Sequence, residues 1–346
     1  MERSPQSDPS GVAPGGATHV ILLDGTLSTL DPDDQTNVGR AYTLLREQGT
    51  PLCIYYEPGL QWTDWRSALD VIMGRGINRQ IRRAYGWLAA RYRPGDRIFL
   101  LGYSRGAYAV RSLAGVMDQV GLLRADCATE KNVRAAYHHY ECSPDSAEAR
   151  VFSQQQCHPK VEIEMIGVWD TVKSLGINAP VLWRLSEHLH AFHNHELSPI
   201  VHHGYHALAC DETRMAFAPV LWASHDGFKG RVEQVWFAGA HGDVGGQLGG
   251  YEAARPLANI PLVWILSKAE ALGLPLPVGW RARYPQDALA PALGTFRGVG
   301  KILMNRRRRK IGLDPSERLH ETVGQRAKAM GKKLGKFAGP YIKGTS

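Results

Sequence analysis

No apolar run in the 346 residues reaches the roughly 18 needed to span a bilayer as a helix. Cysteine is scarce and odd in number: Cys53, Cys127, Cys142, Cys157 and Cys210 are scattered without C-x-x-C spacing. That argues against a disulfide framework and for free thiols in a reducing compartment. The H-E-x-x-H pattern and the spacings of zinc sites are also missing, so no metal is expected. Residues 1–18 are rich in Ser, Pro and Gly and lack an apolar h-region, so they read as a loose tail and not a signal peptide. The chain is therefore expected to be cytoplasmic as made, with export only by a leaderless route. No internal repeat is visible.

What is present is an alternation of short apolar runs and helical patterns. His19–Leu23, Leu52–Tyr56 and Arg97–Leu101 read as buried strands, each closed by Gly, Pro or Asp. Between them, 38–47 and 77–92 carry apolar residues at helical spacing, and a strong helix is expected over 107–120. Strands are expected again at 161–169 and 232–238, and a covering helix at 261–272. This order predicts an α/β fold of the α/β-hydrolase kind: a mainly parallel, doubly wound sheet with helices on both faces. The stretch 176–222 reads as an irregular insertion over the working edge of the sheet. The expected division is a tail at 1–18, a catalytic domain at 19–300 and a basic, helical tail at 301–346.

The charge supports that last boundary. Of the net +8, residues 301–346 hold thirteen Lys/Arg against three acids, leaving −2 for the rest. Asp314-Pro-Ser-Glu317 has the form of a helix start, and Leu319, Val323, Met330, Leu334 and Phe337 follow at helical spacing. Such a segment can pack on the domain or lie on an anionic membrane. Nucleic acid is not an expected partner, since no aromatic or groove-reading motif accompanies the arginines.

Gly102-Tyr-Ser-Arg-Gly106 matches G-x-S-x-G between an apolar strand and a long helix. A serine on so sharp a turn needs small neighbours, and the turn lifts its hydroxyl to the C-terminal edge of the sheet. The backbone N–H of Arg105, at the helix start, then points at a developing oxyanion, with the N–H of Gly25 or Thr26 as second donor. A serine nucleophile needs a base, and the base needs an orienting acid. Asp170 follows the strand 161–169, and His241 follows the strand 232–238, in the order nucleophile, acid, base. Asp243 competes for the acid role, although two residues from His241 it is expected to shape the loop. Asp24 reads as a turn residue tying down its own loop. Fourteen histidines, seven of them at 188, 190, 193, 195, 202, 203 and 206, widen the choice of base.

Several blocks recur together: Leu23-Asp-Gly-Thr26, Asn37-Val38, Tyr55-Tyr-Glu-Pro-Gly59, Gly95-Asp96 and Leu101-Gly-Tyr-Ser-Arg-Gly-Ala-Tyr108. They continue with Gly167-Val-Trp-Asp-Thr-Val172, Tyr205-His-Ala-Leu208 with Asp211-Glu212, and Trp236-Phe-Ala-Gly-Ala-His-Gly-Asp-Val-Gly-Gly246. In this combination residues 19–272 resemble the catalytic domain of the type VI secretion phospholipase effectors. The resemblance implies a Ser–Asp–His hydrolase of carboxylic esters, phospholipids in the best-known members, with Ser104, Asp170 and His241 in those roles and no cofactor. It also implies a secretion-system or immunity partner. Gln247-Leu-Gly-Gly before Tyr251 departs from the family pattern. An acyltransferase or thioesterase with the same three residues, and a silent lipid- or partner-binding module, are the alternatives.

Overall fold

The computed structural model describes residues 16–32, 34–48, 52–59, 75–172, 196–225, 227–295, 305–331 and 341–342. Most of the expected N-terminal tail, His188, His190, His193 and His195, and Leu334 and Phe337 of the C-terminal stripe lie outside these residues.

Eight strands form one sheet: β1 (Thr18–Leu23), β2 (Leu52–Glu57), β3 (Arg97–Tyr103), β4 (Ile163–Trp169), β5 (Val201–Ala209), β6 (Arg231–Phe237), β7 (Glu317–His320) and β8 (Tyr341–Ile342). Their spatial order is β2-β1-β3-β4-β5-β6-β7-β8, and every pair is parallel. Eight helices accompany them among the described residues: α1 (Asn37–Arg46), α2 (Arg75–Ala89), α3 (Arg105–Gln119), α4 (Glu130–Cys142), α5 (Ala147–Gln156), α6 (His241–Gly245), α7 (Arg255–Ala271) and α8 (Glu321–Ala329).

Both faces of the sheet are covered, which is why β1 and most of β3 and β4 are continuously apolar. Alternation along β1 sends Val20 and Leu22 into one core with Val38, Leu44, Trp264 and Ile265, from α1 and α7. Ile21 and Leu23 enter the opposite core with Ile81, Leu88, Val110 and Leu113, from α2 and α3. This is an α/β doubly wound fold. Chain order reverses between β1 and β3, and in such sheets the crevice at the carboxyl ends of the strands flanking that reversal is where ligands bind.

Three expectations are corrected. The segment 176–222 was expected as an insertion, yet β5 within it is an inner strand, pairing with β4 and β6. Its polar histidines hid it: His203 lies half-buried with Nδ1 near the Glu164 carbonyl oxygen, 3.1 Å away, while His206 is buried and accepts from Thr171 N–H. The segment 301–346 was expected as a helical tail, yet it supplies β7 and β8, so the sheet extends past residue 300. The expected helix start at Asp314–Glu317 instead makes a turn into β7. Glu317 is buried and accepts from the N–H groups of Gly312, Leu313 and Asp314 and from Trp236 Nε1, and helix α8 begins only after His320. The third is smaller: α7 starts at Arg255, with Pro256 in its first turn, and runs through Pro261.

Candidate active site

Among the described residues three non-glycines have a positive φ, Leu27 (60°), Ser104 (57°) and Asp170 (43°), and they follow β1, β3 and β4. Such conformations persist where the surroundings over-determine them, and they cluster at functional sites. The neighbouring glycines show what holds the turn at Ser104. A Cβ on Gly102 would stand 2.6 Å from the Gly106 carbonyl oxygen, and one on Gly106 would stand 2.0 Å from that of Leu23. The first packs β3 against the start of α3; the second packs α3 onto β1. Ser104 N–H donates to the Trp169 carbonyl at 3.0 Å, which pins the turn to β4.

His241 opens α6 just beyond β6. Its Nε2 lies 2.9 Å from Ser104 Oγ, and its Nδ1 lies 2.6 Å from Asp170 Oδ2. A carboxylate only accepts, so Nδ1 carries the proton and Nε2 is the acceptor for the serine hydroxyl. The ring packs against Tyr103 and Phe217, with centroids 4.8 and 4.7 Å away, and the Arg214 guanidinium lies over the Phe217 ring. Glu212 accepts from the His241 N–H at 3.1 Å and is held by Arg214 through Nε and Nη2. Burial raises the Glu212 carboxyl, but the arginine outweighs it and the net shift is downward.

Asp170 is wholly buried, while Ser104 retains 6 % and His241 4 % of their exposure. All three are buried, the carboxylate most completely. Four donors saturate Asp170: Ala209 N–H and Arg309 Nη1 on Oδ1, His241 Nδ1 and Arg309 Nη2 on Oδ2. Burial alone would push this carboxyl up; the Arg309 guanidinium, and then His241, hold it well below the usual carboxylate range. Arg309 escaped the sequence reading because it sits in a run of five basic residues.

The other expected residues also converge here. Arg105 is the first residue of α3, so its amide is among those that the helix directs outward. Gly25 lies against the serine, for a Cβ on it would stand 2.6 Å from the Tyr103 ring and 3.4 Å from Ser104 Cβ. Its N–H already donates to Asp24 Oδ1 at 2.7 Å, whereas Thr26 N–H donates to nothing among the described residues. Asp24 is buried and accepts from Thr36 Oγ1, the N-cap of α1, and from Tyr56 OH. Asp243 does not touch Asp170 or Ser104. It accepts from the N–H groups of Ala240, Leu293 and Gly294 and shapes the loop. Gln247, in the segment that departs from the family pattern, ties that loop to the turn after β1 by donating to the Thr26 carbonyl at 3.0 Å. Among the described residues no group of His, Cys, Asp and Glu could hold a metal ion, and no helix is long and apolar enough to cross a membrane.

Fold and site together define a doubly wound α/β protein with a serine on a strained strand-to-helix turn. The chain belongs to the family of type VI secretion system phospholipase effectors, Tle1-like, catalytic domain, whose model matches residues 18–268. It is 28% identical over 241 residues to the uncharacterized protein YEL023C of Saccharomyces cerevisiae, an alignment spanning 61% of this chain and 33% of that protein. The chain thus spans about a third of the length of that curated relative. Two solved structures are similar at low identity. One is an uncharacterized protein from Pseudomonas aeruginosa (TM-score 0.42, 16% identity, 80% of this chain and 52% of that one). The other is the Tle1 effector bound to the VgrG spike of the type 6 secretion system (0.36, 17%, 71% and 55%).

Proposed function

We propose that this chain is a serine hydrolase that cuts carboxylic esters, phospholipids foremost, through Ser104, His241 and Asp170. The observation that carries the reading is the unbroken line from Ser104 Oγ to His241 Nε2 and from Nδ1 to Asp170, at 2.9 and 2.6 Å. His241 Nε2 takes the Ser104 proton as Oγ bonds to the ester carbonyl carbon. The imidazolium so formed, steadied by Asp170, gives that proton to the departing alcohol as the C–O bond breaks. Water, deprotonated by the same nitrogen, then releases the acid and restores the serine. The oxyanion is held by the Arg105 and Thr26 amides. Gly25 is a weaker donor than expected, its N–H being spent on Asp24.

The lipid class rests on the family to which the chain belongs. Exposed Arg307, Arg308 and Lys310, close in sequence to the buried Arg309, supply positive charge suited to an anionic lipid surface. Delivery by a secretion system, and a partner within it, rest on the same family membership.

The first experiment is labelling with a fluorophosphonate probe, which bonds only to an activated serine. Wild type is expected to label, and Ser104→Ala and His241→Ala to lose labelling while keeping the melting profile of a folded protein. Turnover is then compared on phospholipid vesicles and short-chain esters. Full labelling of Ser104→Ala would sink the mechanism; turnover of short esters alone would remove the phospholipid assignment.

A further inference from the structure

The segment that carries Arg309 lies outside the family-matched residues 18–268. It is nevertheless threaded across the site. Asn305 and Arg307 exchange backbone hydrogen bonds with Met215 and Thr213, and Arg306 Nη1 donates to the Thr213 and Thr295 hydroxyls. Along the segment Arg306 and Arg309 turn inward, whereas Arg307, Arg308 and Lys310 are exposed. The Arg309 side chain is 4 % exposed and forks onto both oxygens of Asp170, at 2.5 and 2.9 Å. The same two nitrogens donate to the Ala209 and Phe217 carbonyls.

We propose that Arg309 is a positioning residue for the hydrolysis, clamping both Asp170 oxygens so that the carboxylate is aimed at His241 and shares its charge with a second cation. The inference rests on the reading of Ser104, Asp170 and His241 given above. A planar guanidinium matches a carboxylate in two parallel hydrogen bonds, which fixes the plane of the acid and not merely its place. Asp170 needs such a clamp because its own backbone sits at φ 43°. A buried carboxylate with only one partner also tends to take up a proton, and a protonated Asp170 no longer orients the imidazole.

The charge has a consequence for pH. Arg309 and His241 flank one carboxylate, so the guanidinium opposes a second positive charge on the imidazole. Other ionisable groups around the pair do not supply this effect. Tyr103, at the end of β3, and Cys210, just past β5, are pushed up by burial and stay neutral. His206, on β5, is pushed down to about 3 by burial. Glu212, beside His241, is matched by Arg214.

The test is the pH profile of probe labelling and of kcat/KM for the full chain and for Arg309→Gln and Arg309→Lys. In Arg309→Gln the acid limb is expected to move up by about one pH unit or more, with the rate at neutral pH down at least tenfold. The direction holds whether the freed Asp170 charge strengthens the imidazolium or Asp170 itself takes a proton, since the pair titrates together. Arg309→Lys keeps the charge but not the fork, so its rate falls while its limb stays near that of wild type. An unmoved limb in a folded, labelling Arg309→Gln protein overturns the proposal. If that variant does not fold, a limb displaced by a unit in Arg309→Lys overturns it instead. Labelling that does not depend on Ser104 overturns the hydrolase reading itself, an outcome separate from both.

Discussion

Ser104 sits at φ 57° and ψ −118°, a conformation open to glycine and strained for every other residue. Replacing it by glycine or by alanine removes the same hydroxyl and the same hydrogen bond to His241, so those losses cancel between the two variants. What remains is backbone strain, on the order of 1–3 kcal/mol for a residue with a Cβ. Against it stands the extra chain entropy of glycine, about 0.5–1 kcal/mol. Ser104→Gly should therefore be more stable than Ser104→Ala by about 1 kcal/mol, or about 2 °C in Tm for a domain of this size. An ordinary helical position gives the opposite order; Val151, half-exposed in α5, serves as control, with Val151→Ala above Val151→Gly by about 1 kcal/mol. Urea unfolding of the four proteins, together with thermal melts, measures the difference. Equal stability at position 104, or alanine ahead of glycine, would refute the claim that the turn stores strain.

Two further outcomes follow from buried carboxyls with different partners. Burial pushes Asp24 up to about 6 from 3.8, outweighing its hydroxyl and amide donors, so the folded protein holds a proton there that the unfolded chain has released. Its stabilising contribution is complete below about pH 3.8 and is lost as pH rises through 6, on the order of 3 kcal/mol in all. The stability of wild type relative to Asp24→Asn should therefore fall between pH 4 and 7, and a gap that is flat over that range would show Asp24 to be an ordinary carboxylate. Glu317→Ala strips four hydrogen bonds from buried or part-buried donors, including the Trp236 indole. It should cost at least about 3 kcal/mol in urea unfolding; a cost below about 1 kcal/mol would mean that β7 is not an integral strand of the sheet.

Much of this architecture was legible because periodicity and punctuation agreed. Apolar runs at 19–23 and 97–101, each feeding a Gly-containing turn, announced β1 and β3, and the spacing at 38–47 and 77–92 announced the helices above and below them. The ends of three such runs placed Ser104, Asp170 and His241 on one edge, and the structure brings them within hydrogen-bond reach. Strand β5 was hidden by its histidines: His206 is buried and accepts from an amide, and a run with three histidines in nine residues does not read as buried. Strand β7 was hidden by length. Four residues, two of them charged, carry no period, and only the pairing with β6 makes them a strand.

The least legible element was Arg309, and its case shows where composition misleads. A run of four arginines and a lysine reads as one solvated surface, because charge is counted along the chain without regard to direction. Successive side chains of one segment point in different directions, so such a run can have an inward and an outward side with different work. Arg307 and Arg308 are exposed, whereas Arg309 reaches the one carboxylate that a serine–histidine pair requires. Net charge therefore overstates the basic surface by the buried members of the run. The same arithmetic conceals a constraint on the site: residues 18–268 contain the serine, the acid and the histidine, but the cation that balances the acid comes from beyond them. A protein that ended at the family boundary would lack that cation and leave Asp170 with the His241 ring and the Ala209 amide as its partners.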